Sequence, residues 1–135
     1  MEHVRLEGVS KSYGSVRAVD DLSLSIELGE SIALLGPSGC GKTTMLRLIS
    51  GLEYPTGGQL TTFGEPIQGP GPDRGMIFQA YTSFPWLTAQ ANIEYGMKIM
   101  GVPKAERQAK AMEFLKLVHL EKFKDSYPKS LRSEE

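Results

Sequence analysis

Hydrophobic and polar positions alternate over the first part of the chain. The stretch VRLEGV at residues 4–9 alternates, SYGSV turns, and Leu22, Leu24, Ile26 and Leu28 recur at every second position before a Gly29-Glu30 turn. A period of two predicts strands with one face buried. SIALLG, which follows, is continuously apolar and reads as a strand covered on both faces. The period then changes. Over residues 42–50 the apolar positions are Met45, Leu46, Leu48 and Ile49, with Gly51 placed to cap a helix. Residues 52–79 are rich in breakers: YPTGGQLTTFG reads as turn, strand, turn, GPGPDRG as a loop, and MIFQ as another short buried strand. TAQANIEYGMKIMG predicts one helix. Pro103 suits the first turn of a second helix running to about Val118, with Glu106 and Lys110 one turn apart and Met112, Leu115 and Val118 as its apolar stripe.

Composition adds mostly exclusions. The 135 residues carry 15 basic and 16 acidic side chains, a net charge of −1, so no bulk field favours nucleic acid or an anionic membrane. One cysteine, Cys40, forbids an internal disulfide and argues against a structural zinc site and for a reducing cytoplasm. No signal peptide is visible at the start. The longest uninterrupted apolar run, residues 32–35, is far short of the ~20 residues that span a bilayer.

Candidate chemistry lies at GPSGCGKTT. Gly36, Ser38, Gly39, Cys40, Gly41, Lys42 and Thr43, with Pro37, satisfy G-x-x-x-x-G-K-[ST] between a predicted strand and a predicted helix. Glycines let the backbone turn its N–H groups inward, and the helix start aims its positive end at the same anion. Lys42 supplies a point charge for the β and γ phosphates, and Thr43 a hydroxyl for Mg²⁺. A Gly-rich turn with an incidental lysine is the bland alternative, and the flanking elements count against it. Cys40, near a helix start, is either a redox-sensitive thiol or a small residue tolerated in the loop, the second being the simpler reading.

The chain resembles the ATP-binding subunits of ABC transporters. KSYG matches their aromatic loop, GPSGCGKTT their Walker A sequence, and MIFQ their Q-loop. The absence of an N-K-x-D sequence and the late position of the cradle count against a GTPase and a small-molecule kinase. FPWLTAQANIEYGMK is similar to the importer branch for nitrate, sulfonate and taurine. The resemblance implies a P-loop NTPase α/β core with an N-terminal antiparallel β region over residues 1–79 and the start of a helical subdomain over 80–135. It implies ATP and Mg²⁺ as cofactors. Tyr13 would stack on adenine, residues 36 and 38–44, Thr44 included, would hold phosphates, and Thr43 and Gln79 would serve the metal. Lys42 and Gln79 would serve hydrolysis. It also implies transmembrane permease subunits and a second ATP-binding subunit as partners, at the inner face of the plasma membrane. Phe84-Pro85-Trp86-Leu87 is either core or a docking surface for the permease, and His119 is structural.

Past Tyr127, Pro128 and Leu131 the family's signature is expected, yet Arg132-Ser133-Glu134-Glu135 stands there, and no apolar run ends in an Asp-Glu pair. The expectation is therefore an N-terminal portion of such a subunit, lacking the acidic residue that acts on water. A nonhydrolysing nucleotide-binding or permease-docking module is the alternative from a different class.

Overall fold

Two residues, Gly14 and Ser15, reverse the chain between β1 (Glu2–Tyr13) and β2 (Val16–Glu27), with Tyr13 opposite Val16. A computed structural model of the chain describes residues 2–131. Its strands form one antiparallel sheet in the order β2-β1-β3-β4, where β3 is Gly57–Thr62 and β4 is Glu65–Pro66. The expected alternation is realised: Leu6 lies between Leu24 on one side and Leu60 on the other. The buried positions of β1 pass from Val4 and Leu6 to Val9 where the register slips beside Gly8, which adopts φ 56°, and the pairing with β2 shifts again on either side of Lys11.

Helix α1 (Lys42–Ser50) covers that face. Met45 and Leu48, one turn apart, join Val4, Leu6, Val9, Val19 and Leu60 in the core, and Ile49 packs at its edge. Leu46, read as part of the apolar face, is half exposed because it lies to the side of the Met45–Leu48 stripe. Gly51 ends the helix at φ 77°, its N–H reaching the Leu48 carbonyl while Leu52 N–H reaches Arg47. A β-carbon at Gly51 would collide with the Gly69 carbonyl, so glycine is required for both conformation and space.

Two expected strands do not form. Residues 31–37 are irregular, with Leu35 91% exposed, and residues 76–78 are likewise irregular, with Ile77 99% exposed. A parallel strand needs neighbours on both sides to satisfy its N–H and carbonyl groups. Among the described residues none pairs with either segment, so apolar composition alone leaves them irregular, with only Leu34 of the first packed against the core. Leu28 also falls outside the predicted pattern, since β2 ends at Glu27 and leaves it exposed.

The chain divides into a unit up to Ile77 and a second from Phe78. In the second, α2 (Ala89–Ile99) and α3 (Lys104–Leu117) form a helical hairpin turned at Gly101. Thr88 caps α2 by accepting from Ala91 N–H at 3.2 Å, and Pro103 stands just before α3 rather than within its first turn. Ala111 and Leu115 are the buried positions of α3; of the predicted stripe Leu115 is buried, Met112 half-buried and Val118 exposed. The predicted Glu106–Lys110 pair is present at 3.6 Å. A second ion pair, Arg107 Nε to Glu94 Oε2 at 3.1 Å, joins the helices with both side chains largely buried.

Asn92 organises the chain before α2. Its Oδ1 accepts from Phe84 N–H at 2.7 Å, and its Nδ2 donates to the carbonyls of Phe84, Leu87 and Thr88 at 3.0 to 3.1 Å. At the end of α3, His119 takes φ 59°, with its N–H on the Lys116 carbonyl and Leu120 N–H on Leu115. That is the helix-ending arrangement glycine normally serves, which gives His119 the structural role expected of it. Residues 132–135, where departure from the signature is expected, lie outside the described residues.

Two outcomes follow for urea unfolding. His119→Gly raises stability by about 0.5–1 kcal/mol, because the left-handed backbone ceases to be strained. Asn92→Ala lowers it by about 1–3 kcal/mol, because Phe84 N–H and the Leu87 carbonyl lose the Asn92 amide, while the Phe84 and Thr88 carbonyls keep the backbone N–H groups of Leu87 and residue 92.

Candidate nucleotide-binding site

The site begins where β2 meets the start of α1. Gly41, the residue before the helix, has φ 98° and lies so close to the Ala18 carbonyl that a β-carbon would collide with it. Having no side chain, Gly41 also cannot cap the helix, and no acidic residue occupies the first turn. The leading N–H groups of α1 are thus left for an external acceptor, at the positive end of the helix dipole. Gly39, at φ 79°, makes the preceding bend.

Lys42 folds its ammonium back onto the loop. Nζ donates to the Gly36 carbonyl at 2.5 Å and the Pro37 carbonyl at 2.6 Å, and lies 3.4 Å from Cys40 Sγ. A β-carbon at Gly36 would stand 2.7 Å from Cys40 Sγ and 3.9 Å from Lys42 Nζ, so a side chain there would crowd the space around the ammonium. Small residues are needed at both ends of the loop, for different steric reasons.

A groove of about 270 Å³ runs over this loop, lined by Val16, Arg17, Ala18, Ser38, Gly39, Gly41, Lys42, Thr43 and Thr44. Six of the residues expected to hold phosphate therefore meet in one place. Donor amides, an ammonium and hydroxyls converge there with no carboxylate among the lining residues, a set that suits a polyphosphate and, through Thr43, its metal. Cys40 is exposed and lines an adjoining cleft of about 580 Å³, which shares Ala18, Gly41 and Lys42 with the groove.

Tyr13 lies at the end of β1, opposite Val16 and outside the residues that line the groove. Its ring is 45% exposed. Gln79 is exposed in the second unit. Val16, Arg17 and Ala18 escaped the sequence reading. The Gly14 turn held the signal, because pairing Tyr13 with Val16 carries the start of β2 to the loop. Arg17 is paired with Asp20 at 2.9 Å.

In the aromatic stretch of the second unit, Phe84 fits the core reading and Trp86 is packed against Phe84 at 5.4 Å between ring centroids. Phe84 is half-buried against Tyr95, at 4.4 Å between ring centroids, whereas Trp86 is 69% exposed. Among the described residues no group of three or more His, Cys, Asp and Glu gathers as a metal site, and no helix is long and apolar enough to cross a membrane.

Comparison with known proteins agrees with this geometry. The chain is 43% identical over 132 residues to the ABC transporter ATP-binding protein MJ0412 of Methanocaldococcus jannaschii, covering 95% of this chain and 49% of that protein. It is 45% identical over 118 residues to the nitrate import ATP-binding protein NrtD of Synechocystis, covering 87% of this chain and 44% of the relative. To the Fe(3+) ions import ATP-binding protein FbpC of Escherichia coli it is 44% identical over 127 residues, covering 92% and 36% respectively. The chain thus spans about half the length, or less, of these relatives. Among solved structures, the dimeric ATP-binding cassette MJ0796 in a post-hydrolysis state bound to ADP and Pi superposes with a TM-score of 0.79 at 31% identity, covering 96% of this chain and 63% of that one. The family model for ABC transporters matches residues 19–133, and the chain belongs to that family as an ABC transporter ATP-binding domain.

Proposed function

We propose that this chain is the nucleotide-binding portion of an ABC importer's ATPase subunit, and that the groove over residues 36–44 takes the phosphates of Mg-ATP. One observation carries the reading: the Lys42 ammonium, held by the Gly36 and Pro37 carbonyls, lies beside an uncapped helix start. Backbone amides from Gly39 to Thr44 bind the anion, Ser38 adds a hydroxyl, and Lys42 moves from loop carbonyls to phosphoryl oxygens. Tyr13 stacks on adenine at the rim. Thr43 would hold the metal through its hydroxyl, and the family resemblance would give Gln79 a role toward the metal and the attacking water. Mg²⁺, when bound, neutralises charge on the β and γ phosphoryl oxygens.

In the subunit as a whole, the partners are a second ATP-binding subunit and permease subunits at the inner face of the membrane, with the exposed Trp86 region as the docking surface. The relatives NrtD and FbpC support an importer. The stretch FPWLTAQANIEYGMK supports the branch that carries nitrate, sulfonate or taurine.

Calorimetry on the 135-residue chain tests the site. Lys42→Ala weakens Mg-ATP binding about ten- to hundredfold, the range for a hydrogen bond to a charged group. Equal affinity in the variant would overturn the reading. Phosphate release tests the chemistry. No apolar run in these residues ends in an Asp-Glu pair to orient water, and the loss of such a term costs factors of about 10² or more. The chain as it stands is expected to bind ATP with negligible turnover. Turnover near about one per second that is abolished by Lys42→Ala would show that its own residues suffice.

A further inference from the structure

One face of the Tyr13 ring is already taken. Lys11, two residues earlier in β1, holds its ammonium 5.1 Å from the ring centroid. That ammonium is fixed in turn: Nζ donates to the Tyr54 carbonyl at 2.7 Å and pairs with Glu53 Oε2 at 3.2 Å. The Lys11 side chain is only 13% exposed, so it has little freedom to leave. Glu53 is anchored by the end of α1, where its N–H reaches the Arg47 carbonyl at 3.2 Å and its carboxylate lies 3.8 Å from the Arg47 guanidinium. A chain of contacts therefore runs from the last turn of the helix that opens at the phosphate loop, through Glu53 and Lys11, to the aromatic ring.

We propose that Lys11, locked by Glu53 and the Tyr54 carbonyl, is a positioning residue that presets the Tyr13 ring for the nucleotide base, an inference that rests on Tyr13 being the base platform. A cation is drawn to the face of an aromatic ring by its quadrupole, and here it lies over one face of a residue that is 45% exposed. Holding the ring before the ligand arrives removes part of the ordering cost of binding. Pairing with Glu53 neutralises the ammonium and keeps it from the phosphates, so its effect is confined to the base.

Comparing Mg-ATP with Mg-tripolyphosphate, which has no base, isolates that effect in calorimetry on the full chain. Lys11→Met and Glu53→Gln weaken Mg-ATP about two- to fivefold and leave Mg-tripolyphosphate unchanged. Lys11→Arg, which retains the cation and the ion pair, stays near the parent. In a Tyr13→Ala background, Lys11→Met has no further effect. If Lys11→Met weakened both ligands equally, its role would be general support of the fold and the proposal would fail. If Tyr13→Ala weakened Mg-ATP while Lys11→Met did not, the platform would stand and the positioning role would fall. Indifference of Mg-ATP to Tyr13→Ala would remove the platform itself, and the proposal with it.

Discussion

The contact between Gly41 and the Ala18 carbonyl is the constraint on which the first unit turns. It brings the first residues of β2 against the start of α1 with no side chain between them. Because φ at Gly41 is 98°, the loop enters the helix in a left-handed conformation, and the leading amides face outward rather than into a cap. A larger residue would separate sheet from loop and would strain the backbone by about 1–2 kcal/mol before any contact was counted. The groove is thus a consequence of how closely the two elements approach.

Charge in this unit is arranged on the same principle of prior restraint. Lys42 and Lys11 are both cations satisfied by backbone carbonyls, at Gly36 and Pro37 for one and at Tyr54 for the other. They differ in what else they hold. Lys42 has no carboxylate partner among the described residues, whereas Lys11 is neutralised by Glu53. Opposite ends of α1 set the two environments: an uncapped start beside Lys42, and a glycine-capped end from which Glu53 is held.

The second unit relies on polar organisation more than on apolar burial. Ala89, Ala111 and Leu115 are its buried apolar residues among those described, which is a small core for two helices. The Arg107–Glu94 pair and the four hydrogen bonds of Asn92 supply directional restraint where packing is thin. The ion pair links residues 13 positions apart and the Asn92 bonds reach back four to eight, and no period or motif announces either.

Local periodicity and steric rules decided much in advance. The strand alternation around Leu6 and Leu24, the helix over residues 42–50 with Gly51 at its end, and the GPSGCGKTT loop follow from short-range geometry, which a sequence carries residue by residue. Tertiary structure decided the rest, because it depends on what stands opposite. SIALLG and MIFQ have strand composition, yet stay irregular where no neighbour satisfies their backbone. Val16, Arg17 and Ala18 reach the groove only through the hairpin register. Leu46 and Val118, apolar and in helices or at their ends, are exposed because burial belongs to a face, and a face exists only once two elements meet.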